Sequence, residues 1–244
     1  STNASVGMLA PLIEAKPREK KSFDLMIESK QIWEKLQANN KFCDSVGLKK
    51  NSSLMIALNR DDEEKLRFKK KFFEEIGFKT SFLSAEQTLK KEPNLNSNVT
   101  GSLFCEKQDQ VNPLLYRSFL IKEIIKLGGE IITEKKIKKI SQNKNKVIFN
   151  EKSLTFDKII ISCGVWSSEI IFNSFGLKLP LRPLKGISII LNATTQEFYH
   201  NLWFRNIYIA QREKGILAVG ATEEDKGFDD SIKMDELFFL INSL

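Results

Sequence analysis

His200 is the single histidine among 244 residues, so any Ser–His or Cys–His nucleophilic catalysis would have to run through it. Nothing around Phe198-Tyr199-His200-Asn201 arranges such a pair, and the residue reads as a surface or locally satisfied histidine. Cysteine is equally sparse. Cys43, Cys105 and Cys163 are odd in number and far apart, which excludes both a disulfide framework and a zinc site of C-x-x-C type. No metal site is expected, and the cysteine usage fits a reducing, cytoplasmic compartment. No apolar run approaches the roughly 20 residues of a membrane span. The only early one, Val6 to Ile13, has no basic lead before it and is followed by Glu14, which is wrong for a secretory signal. The 12 glycines are spread, and none forms G-x-G-x-x-G, so the loop that would seat a pyrophosphate on a helix N-terminus is missing from these residues.

Hydrophobic residues make up 41% of the chain, enough for a buried core in one large or two modest domains. The formal charge of +7 arises from 38 basic residues interleaved with 31 acidic ones. Short basic clusters such as Lys69 to Lys71 and Lys135 to Lys139 read as solvated surface, because phosphate affinity needs convergence on one face. Aromatic residues do not alternate with them as a base-stacking platform requires, and neither nucleic acid nor membrane is an expected partner.

Periodicity predicts a helix over Ser22 to Gln37, where Phe23, Met26, Ile27, Trp33 and Leu36 recur at helical spacing. Gly47 to Lys49 and Ser53 to Leu58 read as two strands about a polar turn. Asp61 begins a second helix that Gly77 stops, and Ser84-Ala85-Glu86-Gln87 is a capping box. Gly101 to Cys105 reads as a strand. Asn112 is a good N-cap with Pro113 in the first helical position, and Gly128-Gly129 closes that helix. Strands are then expected at Glu130 to Ile132, Ile137 to Ile140, Val147 to Phe149 and Leu154 to Phe156, with a turn over Gln142 to Asn145. Ile159-Ile160-Ile161 reads as a buried strand whose tip, Cys163-Gly164, lies where ligands bind in open α/β sheets. Ile187 to Leu191, Ile207 to Ala210 and Ile216 to Val219 read as antiparallel strands, and Met234 to Leu244 as an apolar helix.

The chain opens on small residues, Ser1-Thr2-Asn3-Ala4-Ser5-Val6-Gly7-Met8-Leu9-Ala10-Pro11, with no initiator methionine. Such a run lets backbone lie against a rigid partner. Gln110-Val111-Asn112-Pro113, Asp157 through Ser167 with its Cys163-Gly164-Val165-Trp166-Ser167, Leu181-Arg182-Pro183-Leu184-Lys185-Gly186, Tyr208-Ile209-Ala210-Gln211-Arg212 and Val219-Gly220-Ala221-Thr222-Glu223 follow in order. Together with the opening run they resemble the flavin-dependent amino-acid oxidases of the D-amino-acid oxidase family, and within it the glycine oxidases of thiamine biosynthesis. The likeness covers residues 1–230. Ala210-Gln211 departs from the valine-proline usual before the arginine matching Arg212. In the family, the dinucleotide fingerprint lies upstream of the residue matching Ser1, and the carboxylate-binding arginines lie beyond that matching Leu244. The resemblance therefore implies a fragment lacking both ends.

The same resemblance implies FAD as cofactor and an α/β fold. An incomplete Rossmann-like FAD-binding part, residues 1–40 and 103–177, would interleave with a mostly antiparallel α+β substrate part, residues 41–102 and 178–244. Ser1, Thr2, Val6, Gly7 and Met8 line up with the loop that touches the flavin; the residues alone read equally as a helix start packed on a strand. Ile137 lines up with the position meeting the adenine side, against an ordinary strand residue. Gly164 is a further contact, against a turn that admits the Trp166 helix with Ser167 or Ser168 as cap. Tyr208 aligns with a substrate-pocket tyrosine, against half-buried packing, and Met8 faces the flavin from the same loop. Glu223 reads either as a pocket carboxylate or as an exposed turn. Arg182 and Arg212 are carboxylate partners by charge, with surface roles as the alternative. The implied activity is oxidation of a small amino acid to an imine, with dioxygen as acceptor and hydrogen peroxide as product, in an enzyme open to homo-oligomerisation. Its alternatives are a D-amino-acid dehydrogenase with another acceptor, and a shortened chain that binds a partner without catalysis.

Overall fold

A computed structural model of the chain describes residues 2–133, 136–141, 145–149, 152–193 and 197–242, without the side chain of Asn3. It divides into two compact units. The first comprises Ser1–Lys122, Gly186–Glu223 and Ser231–Leu244, and the second Glu123–Lys185 and Glu224–Asp230. Ser1 and most of the expected turn over Gln142 to Asn145 lie outside the described residues. No described helix is long and apolar enough to cross a membrane.

In chain order the elements are β1 (Met8–Leu9), α1 (Pro11–Glu14), α2 (Lys20–Leu36), α3 (Asn40–Val46), β2 (Ser53–Ala57), α4 (Arg60–Glu75), β3 (Ser81–Ser84), α5 (Ala85–Lys91), β4 (Gly101–Cys105), β5 (Asp109–Gln110) and α6 (Pro113–Lys126). They continue with β6 (Ile137–Ser141), β7 (Lys146–Phe149), β8 (Lys152–Thr155), α7 (Ser167–Phe175), β9 (Ile189–Asn192), β10 (Asn201–Phe204), β11 (Ile207–Glu213), β12 (Ile216–Gly220) and α8 (Met234–Asn242).

The first unit is built on a seven-stranded sheet of order β3-β4-β2-β10-β11-β12-β9. Only β2 and β10 pair in parallel; every other pairing is antiparallel. Because side chains alternate along a strand, β2 feeds two cores. Met55 and Ala57 join Leu66, Phe73, Leu103 and Cys105 on the face covered by α4, while Leu54 and Ile56 join Val99 and Leu202 on the other. A two-stranded ribbon, β1 with β5, registers Met8 opposite Gln110. The described strands of the second unit form a separate sheet, β6-β7-β8.

Helix ends follow local chemistry. Asn59 Oδ1 accepts the Asp62 N–H at 2.9 Å at the start of α4, and Gly77 leaves that helix with φ +87°. The Ser84–Gln87 capping box is complete, and Asn112 Oδ1 accepts the Leu114 N–H at 3.1 Å ahead of Pro113.

Three expected strands are corrected. Gly47 is the left-handed cap of α3, which periodicity did not reveal, and Lys49 makes an isolated bridge to Gln110 instead of a strand. Glu130 to Ile132 and Ile159 to Ile161 form no strand, and Ile160 is 88% exposed. A strand is defined by its hydrogen-bonded neighbour, and none of the described strands flanks either run. Neither Ser167 nor Ser168 caps α7.

Candidate functional site

The N-terminal segment of the first unit is fixed by its own backbone. Gly7 has φ +90°, and a Cβ there would stand 2.1 Å from the Val111 carbonyl oxygen and 2.8 Å from the Pro113 ring, so only glycine fits. The Gly7 carbonyl accepts the Val111 N–H at 2.8 Å. Two motifs that carry the family resemblance, the opening run and Gln110-Val111-Asn112-Pro113, therefore meet in space. Val6, 4% exposed, packs against Ala210 and Ala218, with Met8 and Tyr208 at the border of the cluster.

Tyr208 lies on β11, its ring centroid 5.0 Å from that of Trp203 on β10. Gly220 on β12 lies directly opposite it, and a Cβ there would come within 2.9 Å of the phenol ring. Burial, and then the negative charge of Glu14, push the Tyr208 phenol above its ordinary range, so it remains a neutral O–H donor at physiological pH. Trp203 Nε1 is buried without a partner among the described residues. Nearby, Lys69 Nζ donates to the Ile13 carbonyl at 2.8 Å; burial pulls this ammonium down, with Cys105 and Glu14 opposing. Met8 also walls a cavity of about 340 Å³ with Ala10, Glu14, Met26, Lys30 and Trp33.

In the second unit, half-buried Ile137 opens β6 and lines a cavity of about 290 Å³ with Val147, Phe149, Phe156, Ile159 and Ile160. Gly164 is exposed at φ +56°, with nothing within 4 Å of where a Cβ would stand. It begins a single 3-10 turn, Gly164–Trp166, that runs into α7.

Of the residues singled out from the sequence, Val6, Gly7, Met8 and Tyr208 come together. Thr2 begins an exposed 3-10 turn, Ser1 lies outside the described residues, and Ile137 and Gly164 belong to the second unit. Glu223 is exposed. Arg182 pairs with Asp225 at 2.8 Å on the surface. His200 is bound to buried Glu92, as a locally satisfied histidine would be. Trp203, Glu14 and Lys69 escaped sequence reading. Trp203 sits in a four-residue strand too short to show alternation, and Lys69 looks like one of a run of surface lysines.

The chain is similar to the glycine oxidase of Bacillus subtilis (strain 168), 24% identical over 224 residues that make up 91% of this chain and 59% of that relative. It thus spans about three fifths of the length of this curated relative. Among solved structures it is similar to glycine oxidase from Geobacillus kaustophilus, with TM-score 0.89 and 18% identity over 99% of this chain and 66% of that one. It is also similar to L-α-glycerophosphate oxidase from Mycoplasma pneumoniae with FAD bound, with TM-score 0.83 and 19% identity over 99% of this chain and 67% of that one. At these identities the likeness establishes the fold, a mixed α/β arrangement with mostly antiparallel sheets shared with these flavoenzymes. The sequence matches the FAD dependent oxidoreductase family over residues 1–244, and the chain belongs to that family.

Proposed function

We propose that the whole protein oxidises the C–N bond of a small amino acid, with glycine, sarcosine or a D-amino acid as substrate and thiamine thiazole formation as its setting. The observation that carries this reading is the meeting of Val6 and Met8 with Tyr208, because these residues line up with the flavin-loop and pocket positions of the oxidases that the sequence resembles. In the overall reaction the substrate loses two electrons and two protons to become an imine, which water hydrolyses. Dioxygen takes up both to give hydrogen peroxide.

FAD, when bound, supplies the two-electron acceptor. The residues present fit such a group. Gly164 leaves open space where a side chain would stand, and the cavity beside Ile137 is walled by apolar side chains. Ser1, Thr2, Val6, Gly7, Met8, Ile137 and Gly164 are the proposed contacts, with residues 1–40 and 103–177 as the flavin part and 41–102 and 178–244 as the substrate part.

Tyr208 would donate its phenol proton to the substrate carboxylate. Its upward shift keeps that proton in place through the range in which the enzyme would work. Trp203 Nε1–H lies beside it, buried and without a partner among the described residues. Met8 would close the pocket from the N-terminal segment and exclude water.

The test is to purify the intact protein, record the flavin spectrum, and mix it anaerobically with glycine, sarcosine and D-alanine in turn. Bleaching of the flavin by one of them, reversed by air with release of hydrogen peroxide, is the expected result. Bound flavin that none of them bleaches refutes the substrate class. Bleaching that air does not reverse favours the dehydrogenase.

A further inference from the structure

The N-terminal segment crosses three neighbouring strands, and each holds it differently. On β11, Arg212 donates from Nη2 to the Ser5 carbonyl at 2.7 Å. Just before β9, Ser188 Oγ donates to the Ala4 carbonyl at 2.6 Å. Between them Ala218 on β12 lies directly opposite Ala210 on β11, and this pair of small side chains forms the floor on which Val6 is buried. Two consecutive peptide carbonyls are thus fixed by side chains from β11 and from the residue that precedes β9, while the next side chain is packed onto the sheet.

Tyr208 and Ala210, two apart along β11, share one face, and Arg212 follows at a β-bulge between Gln211 and Glu213 that breaks the alternation. All three meet the segment: Tyr208 borders Val6 and Met8, Ala210 supports Val6, and Arg212 binds Ser5. Ser5 lies three residues before Met8, with the conformationally special Gly7 between. A carbonyl anchor there, with the Gly7 carbonyl held by Val111 beyond it, leaves little backbone freedom in Ser5-Val6-Gly7. Arg212 also keeps its buried Nε–H without a partner among the described residues.

We infer that Arg212 and Ser188 are positioning residues for cofactor binding. They preorganise Ala4 to Met8 in the shape that receives the flavin, and neither touches the reacting atoms. The inference rests on the reading of this segment as the flavin-contacting loop. Its mechanism is preorganisation: an unanchored loop must be ordered at the moment of binding, and that ordering weakens affinity.

The experiment is a titration of the intact apoprotein with FAD, followed by flavin fluorescence, for wild type, Gly7→Ala, Arg212→Gln, Arg212→Lys and Ser188→Ala. Melting of each apoprotein is recorded alongside. Arg212→Gln is expected to raise the FAD Kd by about tenfold and Ser188→Ala by about threefold, the loss expected for one anchoring hydrogen bond, charged or neutral. Arg212→Lys, which keeps a charged donor, is expected to recover part of the loss, and the band positions of bound flavin are expected to move in Arg212→Gln but not in Arg212→Lys. A merely structural arginine would lower the melting temperature without changing the Kd or the spectrum, and that result overturns the inference. Gly7→Ala separates the two levels. If it weakens FAD while Arg212→Gln and Ser188→Ala bind like wild type, the segment contacts the flavin but the anchors are wrong. If all variants bind like wild type, the flavin-loop reading itself fails. Should Arg212→Gln not fold, Ser188→Ala and Arg212→Lys decide, since wild-type affinity in both refutes the anchors.

Discussion

Glu92 and His200, 108 residues apart in the chain, are tied together through one carboxylate oxygen. Oε1 of Glu92 accepts the His200 backbone N–H at 2.6 Å and lies 2.6 Å from its ring Nδ1. It also accepts the Tyr199 N–H at 2.8 Å. Facing a carboxylate, Nδ1 carries the hydrogen. The carboxylate is 0% exposed and follows directly on α5, so it pins the start of β10 against that helix. The chain's sole histidine is thus engaged in a structural contact.

Removing this acceptor leaves two backbone donors and a ring N–H, all part-buried, without it. Glu92→Ala is therefore expected to destabilise the protein by about 3 kcal/mol, while Glu92→Gln, which retains an acceptor oxygen, loses about half of that. Urea unfolding of the three proteins measures both. A change below about 0.5 kcal/mol for the alanine variant means that the network contributes nothing.

Contact between Gly220 and Tyr208 gives a second expectation. An alanine methyl at residue 220 would meet the phenol ring at 2.9 Å, so the ring must move away from its place beside Trp203. Gly220→Ala is expected to be less stable by about 1–3 kcal/mol, as for other overpacked sites. Its near-UV circular dichroism, to which the Trp203–Tyr208 pair contributes, is expected to change shape. An unaltered near-UV spectrum means the ring is not held by this glycine.

What the sequence disclosed and what it withheld divide along a physical line. Signals confined to one turn of chain were legible: the Ser84 capping box, Asn112 before Pro113, and Gly77 after α4 each act through neighbouring backbone groups. Ile159 to Ile161 looked like a strand because its side chains suit one, yet pairing is a tertiary property and β-branched composition does not supply the neighbour. Short β10 was invisible for the opposite reason, since Asn201-Leu202-Trp203-Phe204 takes its strand character from β2 and β11 on either side. The candidate site shows the same division. Gly7 and Tyr208 were found through a family likeness, whereas the seat of Val6 on Ala210 and Ala218 depends on a register between β11 and β12 that no local pattern encodes.

Cys105 provides a test at alkaline pH. Burial, offset in part by nearby Lys69, pushes its thiol up to about 12 from an ordinary 9.0. The folded protein therefore holds this proton where the unfolded chain has released it. The stabilisation is fully present below about pH 9 and declines as pH rises toward about 12. Urea midpoints between pH 8 and pH 11 are expected to fall, and less steeply in Cys105→Ala than in wild type after allowing for the variant's lower baseline. In native protein, alkylation followed by mass spectrometry is expected to label Cys43 and Cys163, which are partly exposed, before Cys105. Equal labelling of all three at neutral pH contradicts the burial argument.

The buried pair of Lys30 and Asp109 makes the sharpest energetic prediction, because its two halves are not equivalent. Asp109 accepts from Lys30 Nζ, from Gln37 Nε2 at 2.6 Å and from the Asn51 N–H at 2.9 Å, whereas this carboxylate is the one partner of the Lys30 ammonium among the described residues. Replacing Asp109 with asparagine leaves a cation in the core without its counter-charge, a change expected to cost about 3–5 kcal/mol. Replacing Lys30 with methionine keeps the apolar stem and leaves the carboxylate two hydrogen-bond donors, so the loss is expected to be smaller, about 1–3 kcal/mol. Since the pair acts as a unit, Lys30→Met/Asp109→Asn is expected to be more stable than Asp109→Asn alone. Urea unfolding of the two single variants and the double variant yields the coupling directly. Additive losses would show that the ammonium and carboxylate do not depend on one another, and the role assigned to Asp109 as the hub joining α2, the Asn51 loop and β5 would then be wrong.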